Sequence, residues 1–190
     1  MSFDTQQQNK QRINLSSFAE IWLFGYGSLI HKVDFPIIDK RDAYINDWQR
    51  RFWQGSHDHR GTPDKPGRVL TLVESEGAIC HGVAYRVSAE VFDFLDHREK
   101  NCYLRHEVTI HFSATESKTG LIYIADKDNE AYLGPASERE IAQHIAISKG
   151  PSGPNPDYVI DLANALRSKG VTDNHVFAVE QELANIGSDL

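Results

Sequence analysis

The chain has 190 residues, enough for one well-buried core and too few for two ordinary domains. With 40% hydrophobic and 25% charged residues it has the composition of a water-soluble globular protein, and no apolar run approaches the roughly 20 residues that span a bilayer. A net charge of −7, from 20 basic and 27 acidic residues, argues against a general nucleic-acid binder, which needs a basic footprint.

Residues 1–20 (MSFDTQQQNKQRINLSSFAE) are polar and Gln/Asn-rich, and read as a flexible arm or frayed helix ahead of a single domain over 21–190. They lack the apolar stretch of a secretory signal, so a cytoplasmic location is expected. Cys80 and Cys102 fit a reducing compartment, and make neither a disulfide framework nor a zinc site. The β-prone run Ile21-Trp22-Leu23-Phe24 stops at Gly25-Tyr26-Gly27-Ser28, which predicts a buried strand entering a tight turn. Residues 50–68 carry Arg50, Arg51, Arg60, Lys65 and Arg68 against Asp58 and Asp64, with His57 and His59 among them. That stretch reads either as a solvated loop or as a local attraction for a small anionic substrate. Runs at 68–74 and 79–87, around a turn holding Gly77, predict a hairpin; runs at 107–112 and 121–125, around a polar connection with Gly120, predict a second. Helical patterns at 88–98, 137–149, 157–169 and 172–186 begin near Ser, Asp or Thr, and Gly150, Gly170 and Gly187 follow as expected past helix ends. Strands first and helices later predict an α+β fold, a mostly antiparallel, barrel-like sheet with surrounding helices.

Two places carry candidate chemistry. In Gly25-Tyr26-Gly27-Ser28 the glycines permit positive φ and close ligand approach, and successive N–H groups can form an anion-binding nest. It is no dinucleotide fingerprint, because Ile30 stands where a third glycine belongs, and no Gly-Lys-Ser/Thr follows. On this signal alone a plain strand-ending turn is the commoner explanation. Glu99 continues the stripe of Phe92 and Leu95, where a partly desolvated carboxylate would suit general base work. At a helix end it can equally swing into water or pair with Arg98 or Lys100, and periodicity favours that. The nine histidines form no HExxH or other ligand spacing, and Ser28 lacks the frame of a hydrolase nucleophile. Cys80, inside a strand-like run, reads as core, and Cys102, in a turn, as accessible.

Taken in order, Phe-Gly-Tyr-Gly-Ser-Leu-Ile (24–30), Arg-Arg-Phe-Trp-Gln-Gly-Ser (50–56), Asp-His-Arg-Gly-Thr-Pro (58–63) and Lys-Pro-Gly-Arg-Val (65–69) form a recognisable series. Gly-Val-Ala-Tyr-Arg (82–86), Leu-Asp-His-Arg-Glu-Lys (95–100), Tyr-Leu-Gly-Pro (132–135) and Gly-Pro-Ser-Gly (150–153) continue it. The series resembles the ChaC-like glutathione-specific γ-glutamylcyclotransferases over about residues 21 to 182. The resemblance implies a small mixed fold around a barrel-like sheet, no metal and no organic cofactor. It also implies cleavage of glutathione to 5-oxoproline and Cys-Gly. Charge and the short apolar runs, independently of the resemblance, lead us to expect no nucleic-acid or membrane partner; the sequence does not report oligomeric state, a monomer being favoured. The implied catalytic residue is Glu99. The implied γ-glutamyl pocket is Leu23, Phe24, Gly25, Tyr26, Gly27, Ser28 and Leu29, with Tyr158 as a further substrate-binding position. Two departures bear on substrate breadth and rate: the family usually has Gly-Gly where this chain has Asn101-Cys102, and often Trp where it has His31. Rival readings are a cyclotransferase of other γ-glutamyl compounds and a regulatory γ-glutamyl-binding protein without turnover.

Overall fold

The computed structural model describes residues 3–188 and divides into two compact units, Met1–Gln49 with Leu72–Asp126 and Arg50–Thr71 with Lys127–Leu190. Each is built differently.

Five strands close a barrel in the order β1-β3-β2-β4-β5: β1 (Ile21–Gly25), β2 (Asp39–Ser56), β3 (Gly67–Val87), β4 (Leu104–His111) and β5 (Ser117–Ile124). The apolar run at 21–24 does form a strand, and all five β1 residues are buried. β1 pairs antiparallel with β3, from Ile21 opposite Val87 to Gly25 opposite Val83. The expected second hairpin is β4–β5, antiparallel from Leu104 opposite Ile124 to His111 opposite Ser117. One parallel pairing, Leu23 with Leu121, joins β1 to β5 and closes the ring. Closure leaves no sheet edge to protect. In the first unit Leu23, Phe24, Ile45, Tyr85, Phe92, Leu95, Ile110 and Leu121 are essentially inaccessible to water.

The expected hairpin around Gly77 is absent. Residues 67–87 are one continuous strand, and Gly77 (φ +76°) sits within it, its N–H donating to Asp47 Oδ1 at 2.7 Å. Asp47 on β2 is itself left-handed, with φ +66°. A positive φ inside a long strand marks a bulge, which bends the strand without ending it. From Phe3 on, the stretch expected as a flexible arm or frayed helix holds α1 (Gln6–Arg12), in which Asn9 is fully buried. α2 (Val91–Arg98) follows β3, one turn later than the pattern from Ser88.

The second unit carries the helices α3 (Glu138–Ala146), α4 (Asn155–Ser168) and α5 (Asn174–Ser188). Between α3 and α4 lies a minimal hairpin of β6 (Lys149–Gly150) and β7 (Gly153–Pro154). Ser137 and Glu140 form a reciprocal capping box that starts α3. Gly170, at φ +66°, ends α4 as expected, whereas Gly150 lies in β6 and Gly187 inside α5. The basic stretch is a loop only in its middle, 57–66, where Lys65 is exposed, whereas Arg50 and Arg68 lie on β2 and β3 and are buried. Arg50 is 2% exposed and pairs with Asp173 at 3.0 Å. The Arg68 guanidinium donates to the carbonyls of Phe52 (2.9 Å) and Gly134 (3.1 Å). These two cations are consumed inside the unit, because a buried charge persists only when paired or hydrogen-bonded. No helix among the described residues is long and apolar enough to cross a membrane.

Candidate active site

β1 buries Leu23 and Phe24, whose side chains alternate to its two faces, and ends at Gly25. There the chain must turn sharply. A Cβ on Gly25 would stand 2.7 Å from the Leu29 Cβ, so the glycine is required by the approach of the turn to itself. Positive φ is not the reason: neither Gly25 nor Gly27 has one, and Gly27 lies at φ −120°, ψ −127°. Ser28–Ile30 then form a single 3-10 turn. The amides of Ile30, His31 and Lys32 close onto the carbonyls of Gly27 and Ser28. The first N–H groups of such a turn, those of Ser28 and Leu29, have no acceptor within it, which makes them candidate donors to an anion.

The turn is fixed by two buried tyrosines. Tyr26, 6% exposed, donates its hydroxyl to the carbonyl of Tyr123 at 2.8 Å. Tyr85 donates to the carbonyl of Leu29 at 2.6 Å, and burial pushes its phenol up to about 12, so it stays a donor at any physiological pH.

Glu99 is the residue that caps α2, its N–H closing on the Leu95 carbonyl at 2.8 Å. Phe92 and Leu95, which share its face, are buried, and the Glu99 side chain is 18% exposed. It is paired with Arg98, Nε to Oε1 at 3.3 Å, which is one of the alternatives open from the sequence. A carboxylate offers about four lone-pair positions, so that pairing is compatible with proton transfer. Arg98 also reaches the turn. Its guanidinium donates to Ser28 Oγ (3.0 Å), the Lys32 carbonyl (3.3 Å) and Asp34 Oδ1 (2.6 Å). One side chain thereby ties the 26–29 turn to the helix end that bears Glu99.

Beneath that helix end lies a buried network. Asp96, wholly inaccessible, is gripped by Arg105 through both carboxylate oxygens, and the Tyr123 hydroxyl donates to its Oδ1 at 2.7 Å. Burial, the Asp96 bond and the charges of Asp96 and Glu99 hold the Tyr123 phenol far above its ordinary range. The same Asp96 keeps Arg105 more firmly protonated than a free arginine despite desolvation. Fully hydrogen-bonded, such a triad fixes one side-chain arrangement. Neither this triad nor the Arg98–Ser28 link is read from sequence. Asp96 did carry a signal: it shares the buried stripe of α2 with Phe92 and Leu95, where an acid needs a partner. Which partner it finds depends on the register of β4 and β5.

Tyr158 belongs to the second unit, in the first turns of α4. It is 8% exposed, edge-on to Phe52, with the Arg60 guanidinium 5.8 Å from its ring centroid. Arg60 is anchored by the Pro154 carbonyl at 2.9 Å. The Gly-Pro-Ser-Gly segment forms the β6–β7 turn, with Ser152 Oγ 3.1 Å from His59 Nδ1. Cys80 is core, as expected. Cys102, expected to be accessible, is buried, and it is Cys102 (φ +68°) that takes the left-handed position beside Asn101. His31 follows the 3-10 turn as its C-terminal cap. Among the described residues no three His, Cys, Asp or Glu side chains cluster as metal ligands would.

The family model described as ChaC-like protein matches residues 21–186. A glutathione-specific gamma-glutamylcyclotransferase 1 from Danio rerio is 41% identical over 175 residues, covering 87% of this chain and 89% of that protein. Gamma-glutamylcyclotransferase 2-3 from Arabidopsis thaliana is 39% identical over 181 residues, covering 89% and 91%. The crystal structure of a γ-glutamyl cyclotransferase specific to glutathione from yeast matches with a TM-score of 0.82 at 30% identity, over 88% of this chain and 97% of that one.

Proposed function

The chain belongs to the ChaC-like protein family, and from that premise we propose that it is a glutathione-specific γ-glutamylcyclotransferase, releasing 5-oxoproline and Cys-Gly. The observation that carries the reading is the 41% identity, over most of both chains, to a relative whose name specifies that activity. The geometry around Glu99 supports it.

The α-amine of the γ-glutamyl group attacks its own γ-carbonyl. A C–N bond forms, closing the five-membered lactam, and the bond to the cysteinyl nitrogen breaks. Nucleophile and electrophile share one molecule, so the protein's first task is to hold a folded conformer. The turn of Gly25, Tyr26, Gly27, Ser28 and Leu29, carried on the Leu23–Phe24 end of β1, is the surface for the γ-glutamyl group. Glu99 takes a proton from the ammonium and returns it to the departing nitrogen; the second proton that the attacking nitrogen sheds on becoming a lactam N–H goes to the released amine, which leaves as an ammonium. Amides at the head of the 3-10 turn hold the developing oxyanion or the α-carboxylate. Tyr158 contributes to substrate binding. No step needs a metal or organic cofactor, and the enzyme works in the cytoplasm.

Incubation of the purified chain with glutathione, followed by product analysis, tests this. The expected products are 5-oxoproline and Cys-Gly in equal amounts, with EDTA having no effect. Free glutamate in place of 5-oxoproline would mean hydrolysis and refute the cyclisation.

A further inference from the structure

Residues 3–12 lie outside the span matched by the family model, yet they are bound rung by rung to the segment that follows Glu99. The Cys102 N–H donates to the Phe3 carbonyl at 2.9 Å, and Asp4 bridges Asn101 as one antiparallel pair. Thr5 donates its N–H to the Lys100 carbonyl at 3.0 Å, and its hydroxyl contacts the carbonyls of Lys100 (3.1 Å) and Tyr103 (2.8 Å). Asn9, fully buried on α1, spans two backbone groups. Its Nδ2 donates to the Tyr103 carbonyl at 3.0 Å and its Oδ1 accepts the Arg105 N–H at 2.8 Å. Arg12 Nε reaches the Arg105 carbonyl at 2.8 Å, and Lys10 pairs with Asp93 of α2 at 2.8 Å.

Two facts connect these contacts with the candidate base. Arg105, whose backbone Asn9 and Arg12 hold, grips Asp96, and Asp96 is three residues before Glu99, on the same face of α2. The held segment also contains Cys102 at φ +68°, a conformation that residues other than glycine rarely adopt unless their surroundings impose it. Asn9 is a polar residue buried with both ends of its amide satisfied, which is an expensive arrangement to keep for a dispensable extension.

We propose that residues 3–12 are a strap that positions the Glu99 segment, with Thr5 and Asn9 as its positioning residues, so that turnover as well as stability depends on them. The proposal rests on Glu99 being the base. Nothing in the strap touches substrate; it acts by fixing residues 100–105 and, through Arg105 and Asp96, the end of α2.

The test uses Thr5→Val, Thr5→Ser and Asn9→Ala in the full chain, assayed with glutathione well below each melting midpoint. Thr5→Val and Asn9→Ala lower kcat by about fivefold or more, within the range that small misplacements cost, with KM within about twofold of wild type. Thr5→Ser keeps the hydroxyl and keeps wild-type turnover. Adding Cys102→Gly to Thr5→Val restores part of the lost kcat, since glycine adopts a positive φ without being held. Wild-type kcat per folded molecule in both Thr5→Val and Asn9→Ala, or losses confined to KM, overturns the strap. If the wild-type chain itself releases no 5-oxoproline, the fault lies in the proposed activity. Hydrogen exchange, which needs no turnover, then decides: the Glu99 amide loses protection in Asn9→Ala if the strap acts on α2, and keeps it if not.

Discussion

Gly25→Ala puts the geometry of the turn to a quantitative test. Carbon atoms in contact sit about 3.5–4.0 Å apart, so a methyl placed 2.7 Å from the Leu29 Cβ lacks roughly 1 Å of room. Leu29 cannot simply withdraw. It is 7% exposed, its backbone carbon and oxygen lie 3.4 and 3.5 Å from the added Cβ, and its carbonyl is held by Tyr85. Tyr85 is in turn packed edge-on against Phe35. Overpacking of this kind costs about 1–3 kcal/mol. For a chain of this size each kcal/mol moves the melting midpoint by about 2–4 °C, so a fall of roughly 2–12 °C is expected. Thermal scanning and kcat/KM for glutathione are measured on the same preparation, with activity read at 20 °C below the variant's midpoint. Because the displaced atoms are those of the proposed γ-glutamyl surface, kcat/KM falls far more than the loss of folded protein explains. A variant that melts within a degree of wild type refutes the steric argument. One that melts lower yet turns over normally when folded removes the turn from the substrate site.

Glu99→Gln preserves size and hydrogen bonding but removes the base, so kcat falls roughly a hundredfold or more with the melting midpoint little changed; near-normal turnover assigns the proton transfer elsewhere. His175 makes the second unit sensitive to acid. Its Nε2 accepts the Phe52 N–H at 3.1 Å, which requires the neutral ring, and burial followed by the nearby Arg51 charge lowers its pKa below the ordinary histidine value. The unfolded chain takes up the proton more readily, so this contribution to stability is complete above about pH 6.5 and is lost as pH falls toward the depressed folded value. The midpoint of the wild type should therefore drop between pH 7 and pH 5 more steeply than that of His175→Gln, and equal slopes would dismiss His175 as the sensor.

Local signals made β1, the β4–β5 hairpin and the later helices legible. An apolar run ending in glycine, two β-prone runs flanking a polar turn, and Ser137 three residues ahead of Glu140 each work within a few residues of sequence. β2 gave no such signal. Its buried positions include Arg50 and Gln54, polar residues that the core tolerates only because Asp173 and Asn129 meet them from far along the chain. Gly77 sent the right local message, a positive φ, but a bulge and a hairpin share it, and only the partner strand distinguishes them.

The residues of the candidate site divide along the same line. Sequence by itself determined that the chain carries the Gly25-Tyr26-Gly27-Ser28 turn and Glu99, because motif and order suffice for family resemblance, and that the fold is an α+β barrel-like sheet. It left open whether Glu99 faces solvent or a partner, gave no sign that Arg50 and Arg68 of the basic stretch are buried, and took Cys102 as accessible. Tertiary structure decided those. The ties from Arg98 to Ser28, from Arg105 to Asp96 and from Asn9 to Arg105 span 70, 9 and 96 residues respectively. Pairing between separate elements is set by strand register and helix docking, which no local pattern of side chains encodes.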